Sequence, residues 1–265
     1  MNRKHFLLLL AANFTLFFAH AQPGSWRQVG KPGIWGRTIC AASSNGWLYT
    51  VESTGALYKT NPGTGSYTSL DANNYGNTAI LLAGSNYLIS VEKDGSLYRT
   101  DLVAKKWIRL GKPGEWINTI AAALVADKLY TVEVSGALYA TDIYTGVWSK
   151  VGEPNFGNTR FMFGSASFLY SIEKDGTLYM ISPINGSWKQ IGQKGAWVNT
   201  IKGTILGDRL LTIESNGTLF ETRLSTGIWQ QLGKPEFVNT KFLCAGLGKI
   251  YSIEANGALY EINVR

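Results

Sequence analysis

The phrase apolar-x-Thr/Ser-Val/Ile-Glu-x-x-Gly-small-Leu-aromatic recurs six times in this chain, with its carboxylate at Glu52, Glu92, Glu133, Glu173, Glu214 and Glu254. The successive spacings are 40, 41, 40, 41 and 40 residues. Three other markers keep the same beat: Gly55, Gly95, Gly136, Gly176, Gly217 and Gly257; Thr38, Thr78, Thr119, Thr159, Thr200 and Thr240; and the aromatics Trp26, Tyr67, Trp107, Trp148, Trp188 and Trp229. A period of this length means stacked supersecondary units, each too small to bury its apolar face alone. Within a unit the pattern reads as four short strands: 119–125, 128–133, 137–141 and one holding Trp148. Second and third strands are joined through x-x-Gly, as in Lys93-Asp94-Gly95 and Ser215-Asn216-Gly217, where Asp-Gly and Asn-Gly predict hairpins in which both of those residues take positive φ. No segment has a helical period. Four antiparallel strands written six times predict an all-β six-bladed β-propeller. The ends agree: the repeat region begins with a fourth strand at Trp26 and ends with a third at Ile262, so the N-terminal strand should complete the last blade and leave no free edge. Residues 22–265 are therefore expected to form one propeller domain.

Upstream, Asn2-Arg3-Lys4-His5 is a basic head, Phe6 to Phe18 an apolar run, and Ala19-His20-Ala21 a triplet suited to cleavage. Residues 1–21 thus read as a secretory signal, its apolar run short of the ~20 residues that span a bilayer. The expected product starts at Gln22, does not insert in a membrane, and is secreted, periplasmic or held at the cell surface. Cleavage would lower the formal charge of +7 by two and remove both histidines, His5 and His20. Without histidine the mature chain lacks the usual general base, the Ser-His-Asp or Cys-His nucleophile systems and His-ligated metals. Lys and Arg are scattered, Lys105-Lys106 being the only adjacent pair after the signal, which argues against nucleic acid. Cys40 and Cys244 fall in the first strands of blades one and six, neighbours at the ring closure. Export permits a disulfide. Their offsets from the blade Thr, however, put both on the same face of their own blades, whereas adjoining blades meet through opposite faces. Two buried thiols are the expectation.

A second period of 81 residues overlies the first: Trp35, Trp116 and Trp197 precede odd blades, and Tyr75, Phe156 and Phe237 precede even ones. Chain direction brings these loops, the residue pair ending in Thr and the repeated Glu to one rim of the ring. The Glu either ties the turn and its Thr together or lines a ligand pocket. One acid per blade is a poor calcium site, and nothing calls for a metal or cofactor. The loop Trp either plugs the gap between blades or offers a flat face to a sugar ring. The fourth-strand Trp residues are expected to pack between blades. The candidate ligand site comprises Trp35, Trp116 and Trp197 as platforms, with Asn118, Asn199, Glu133 and Glu214 as polar contacts.

The recurring Asp/Asn-Gly-x-Leu-Tyr with a following Trp strand resembles the blades of tectonin and tachylectin-type β-propeller lectins. The resemblance implies recognition of glycans outside the cell at sites repeated around the ring. The repeat is shorter than in the tachylectin type and there are six blades instead of five, so only the rim as a region carries over. The expected function is an exported carbohydrate-binding propeller; the alternative is a non-catalytic protein-interaction scaffold at the cell surface. An enzyme is not expected, because the departures from the repeat, such as Arg37 and Arg160, form no recognisable set.

Overall fold

The computed structural model describes residues 22–265, so the signal reading of residues 1–21 and the loss of His5 and His20 lie outside the described residues. The described chain forms six four-stranded antiparallel sheets in a ring, the predicted six-bladed propeller. Blade five is representative, with strands Thr200–Leu206, Arg209–Glu214, Leu219–Arg223 and Trp229–Leu232 running from the axis outward. The first strands stand side by side around the axis, blade six meeting blade one. Closure follows the predicted route: Trp26–Val29 pairs antiparallel with Leu259–Ile262 and completes the sixth sheet. Arg27 and Lys249 both bond the Glu261 carboxylate on that sheet.

The repeated phrase is a burial pattern. Its Leu (Leu57, Leu97, Leu138, Leu178, Leu219 and Leu259) and its Val/Ile (Val51, Val91, Val132, Ile172, Ile213 and Ile253) are buried in every blade. Each such side chain contributes about 1.5–3 kcal/mol relative to an exposed one. Six separate apolar clusters result, each spanning the seam between neighbouring blades.

Two local features depart from the expected pattern. In the turn between second and third strands only the Gly has positive φ, +77° at Gly95 and +85° at Gly217. The backbone closes through Glu92 N–H to the Ser96 carbonyl (2.8 Å) and Gly95 N–H to the Glu92 carbonyl (2.9 Å), a three-residue loop ending in one left-handed residue. Asp94, Asp175, Asn216 and Asn256 instead accept the N–H two residues on at 2.9–3.0 Å, which explains their selection without positive φ. The two-residue turns with paired positive φ lie at the opposite face, at Asn45-Gly46, Ala126-Asp127 and Leu247-Gly248. Every first strand also carries a β-bulge immediately after its Thr, at Ile39, Ala79, Ile120, Arg160, Ile201 and Lys241.

Both cysteines are free and buried, as expected. Cys40 Sγ lies 3.6 Å from the Thr78 and Ala79 carbonyl oxygens of blade two. Cys244 sits beside Ser43 of blade one. The two sulfurs therefore point the same way round the ring and never face each other.

Candidate functional site

The rim is built from cross-strand register. Each Thr stands opposite its Glu, from Thr38 with Glu52 to Thr240 with Glu254. Five Thr hydroxyls donate to these carboxylates, at 2.9, 3.1, 3.0, 2.8 and 2.7 Å in blades one, two, four, five and six. Blade three differs: the Thr119 hydroxyl has no partner, and the Glu133 carboxylate meets Ser135 Oγ at 3.5 Å. Burial pushes the carboxyls of Glu52, Glu92, Glu173, Glu214 and Glu254 above the ordinary value, partly opposed by the hydroxyl bonds. The residue after each Glu donates its N–H to the carbonyl preceding the Thr, as Val134 does to Asn118 (3.0 Å) and Ser215 to Asn199 (2.9 Å). The backbones of Asn118 and Asn199 are thus structural, while their side chains are exposed on the rim.

The loop aromatics are plugs, which corrects the platform assigned to Trp35, Trp116 and Trp197. These rings are 2%, 5% and 2% exposed and have no free face for a sugar. Each indole lies over a Gly of its own connection: a Cβ on Gly30, Gly111 or Gly192 would come within 2.9, 2.5 or 2.6 Å of the six-membered ring. The backbone N–H of every loop aromatic donates to the turn Gly carbonyl of the preceding blade, from Tyr75 to Gly55 (3.0 Å) round to Trp35 to Gly257 (3.1 Å).

In four blades the ring tip is matched to the residue 25 positions on, in the third strand of its own blade; the corresponding Thr60 and Thr141 of blades one and three keep buried hydroxyls without a partner. The Tyr75 hydroxyl meets Thr100 Oγ1 at 2.5 Å, and Trp197 Nε1 donates to Thr222 Oγ1 at 3.3 Å. Where the plug is Phe and has no polar tip, the partner is Ile: Phe156 shares a core with Ile181, and Phe237 with Ile262. A loop selected to meet ligand would not need this internal matching.

The exposed aromatics are those expected to pack between blades. Trp26, Tyr67, Trp107, Trp148, Trp188 and Trp229 are 40–51% exposed, because blades radiate from the axis and the seam opens at the outermost strand. Each meets the aromatic that ends the repeated phrase. Tyr139–Trp148, Tyr179–Trp188 and Phe220–Trp229 are edge-to-face, with centroids 5.2, 5.0 and 5.0 Å apart, and Tyr98–Trp107 is stacked at 3.8 Å. Between this pair and the turn lies a crevice in blades one, four and five. In blade five it is lined by Asn199, Glu214, Asn216, Phe220, Trp229 and the edge of Trp197, and holds about 310 Å³. Blade four presents the equivalent Asn158, Glu173, Asp175, Tyr179 and Trp188 around about 310 Å³, and blade one Arg37, Glu52, Tyr58 and Tyr67 around about 200 Å³.

Asn199 and Glu214 therefore stand where a ligand group would enter, with a different aromatic beside them than expected. The sequence did carry a signal for this. The fourth strands read WSKV, WKQI and WQQL, polar on both sides of the chain after their Trp, as an outermost strand would be. A crevice with one half-exposed ring, an edge-on partner, a carboxylate and an amide is equipped to hold a ligand with alternating apolar and hydroxyl or amide surface. Among the described residues no three His, Cys, Asp or Glu side chains gather as a metal site.

No family model matches the chain, and no curated protein matches its sequence. Solved structures do match. One is YCF48 bound to D1 peptide, 15% identical with a TM-score of 0.60, covering 86% of this chain and 78% of that one. A second is a catalytically inactive H270A virginiamycin B lyase from Staphylococcus aureus with quinupristin, 14% identical with a TM-score of 0.60, covering 91% and 89%. A third is PorZ, an essential surface component of the type-IX secretion system of Porphyromonas gingivalis, 11% identical with a TM-score of 0.53, covering 88% of this chain but 33% of that one. At such identities the likeness is one of fold, and it extends to propellers of different kinds.

Proposed function

We propose that the protein is a non-catalytic, exported recognition propeller that holds carbohydrate chains in its rim crevices, in the manner of the tectonin-like lectins its repeat resembles. The observation that carries this reading is the half-exposed fourth-strand aromatic, repeated round the ring and set beside an Asn and a Glu in the crevices of blades four and five. A ring face takes the apolar side of a sugar while the carboxylate and amide take its hydroxyls. Shallow sites of this size bind weakly one at a time, and several on one rim gain avidity on a densely presented glycan. The export component rests on the composition of residues 1–21.

The test is a glycan array followed by titration with the wild type and the triple variant Trp148→Ala, Trp188→Ala, Trp229→Ala. Binding that falls at least tenfold in the folded variant supports the reading. Absence of any glycan ligand, or a variant that binds as well as wild type, removes it. A second reading, a protein-interaction scaffold, draws support from the similarity to YCF48, which is bound to a peptide, and to the surface component PorZ. A stoichiometric protein partner that free sugar does not displace would favour it.

A further inference from the structure

Six near-copies of one blade make any departure visible. Two positions after each Thr, five first strands carry an apolar residue (Cys40, Ile80, Ala121, Phe161 and Phe242), and blade five carries Lys202. This position looks across the seam at the start of the next first strand, as Cys40 does toward Thr78 and Ala79. Lys202 accordingly faces Thr240 and Lys241 of blade six. Lys241 is itself the bulge residue there, and its ammonium donates to the Thr38 carbonyl of blade one at 3.1 Å. On the other side, Arg160 occupies the bulge of blade four and reaches blade five, donating to the Thr200, Trp197 and Val198 carbonyls at 2.7, 3.1 and 3.0 Å, with its Nε buried and unpartnered. The bulges of blades one, two, three and five hold Ile39, Ala79, Ile120 and Ile201. Cations thus occupy three successive seams at the rim face, where the other blades are apolar, and Lys202 and Lys241 act on each other.

Two of the three have compensation: Glu214 acts on Arg160, and Glu52 on Lys241. Lys202 makes no hydrogen bond or ion pair with any described residue. Burial, and then the like charge of Lys241, hold its pKa below the ordinary lysine value. A half-buried ammonium beside another cation is costly unless a counter-charge joins it.

We propose that Lys202, beside Lys241, binds an anionic group, carboxylate or phosphate, at the axial opening between blades five and six. The site is single, unlike the repeated crevices, and does not depend on the carbohydrate reading. A charge-assisted bond from the Lys202 ammonium would meet an oxyanion there, with the Lys241 charge beside it.

The experiment follows the lysine Cε resonances of the full chain, labelled with carbon-13, during separate titrations with sodium phosphate and sodium succinate against sodium chloride at matched ionic strength. The expected result is a saturable shift of the Lys202 signal by at least one of the two anions at one equivalent per chain, absent with chloride. It should vanish in Lys202→Met, weaken severalfold in Lys241→Met and persist in Lys189→Met, an exposed lysine of a fourth strand. A response to phosphate alone or succinate alone identifies which oxyanion the site prefers, and a response to both assigns it to oxyanions generally. Lys202→Met restores the apolar character of the other five blades and should fold. A shift that tracks ionic strength equally for all three salts, or that survives in the signal of Lys241 after Lys202→Met, overturns the proposal.

Discussion

The matching of plug to strand can be tested by moving one blade's solution into another. Tyr75 and Thr100 are both buried and share a 2.5 Å bond, whereas blades four and six fill the same two positions with Phe and Ile. Tyr75→Phe leaves the Thr100 hydroxyl buried without partner or water, a loss of about 1–3 kcal/mol. Thr100→Ile strands the Tyr75 hydroxyl in the same way and adds a carbon to a packed site, about 1 kcal/mol more. The double variant removes both polar groups and reproduces the Phe156–Ile181 pair, so it should lie within about 1 kcal/mol of wild type. The single changes sum to about 3–7 kcal/mol, so the expected coupling is at least about 2 kcal/mol, and for a chain of this size each kcal/mol moves Tm by about 2–4 °C. Urea unfolding of the four proteins, followed by circular dichroism and by Trp fluorescence, measures this provided that both probes agree and the m-values are equal. Additivity of the two single changes within about 0.5 kcal/mol would refute the reasoning, because it would mean the two side chains do not share one site.

The two sets of Trp should separate in a stability assay: Trp197→Ala empties a buried plug and should cost about 3–5 kcal/mol, while Trp229→Ala removes a half-exposed ring and should cost under about 1.5 kcal/mol. The reverse order in chemical denaturation would contradict the assignment of plug and platform. Buried rim carboxyls with raised pKa favour the folded state fully below their ordinary value of 4.5, and that contribution is lost as pH rises through their folded values. Asp101, Asp142 and Asp175, lowered chiefly by backbone N–H bonds, act oppositely and lose their contribution as pH falls below their ordinary 3.8. Melting curves should therefore show Tm climbing as pH is lowered from neutrality toward 4.5 and dropping as it passes below 3.8; a Tm that only falls on acidification from neutrality would contradict the raised values. Burial pushes both thiols up to about 12, so iodoacetamide at neutral pH should label Cys40 and Cys244 only after denaturation, as read by mass spectrometry. Stoichiometric labelling of the folded protein within minutes would be inconsistent with that burial.

Blade count, strand count per blade, the N-terminal strand's role in closure and the separation of the two cysteines were all legible in the sequence, since each depends on period and parity along one chain. So was the Thr–Glu register, because residues opposite each other across a hairpin are set by the loop between them. The turns were read less well. The three-residue link Lys93-Asp94-Gly95 was legible, but only Gly95 takes the positive φ expected of both Asp94 and Gly95. The bulge after each Thr left no mark in the apolar alternation.

What only the tertiary structure decided was which aromatic faces solvent. Trp116 lies between Glu115 and Ile117 and Trp229 between Ile228 and Gln230, so their immediate neighbours do not tell a plug from a surface ring, and only the polar run after Trp229 hints at the difference. The difference is radial. A loop that crosses from one blade to the next must fill the seam it crosses, so Trp197 turns inward onto Gly192 and Thr222. The fourth strand lies where radiating blades have parted, so Trp229 has a neighbour on one side and water on the other. Distance from the axis is a property of the closed ring, and a repeat read along the chain contains no measure of it.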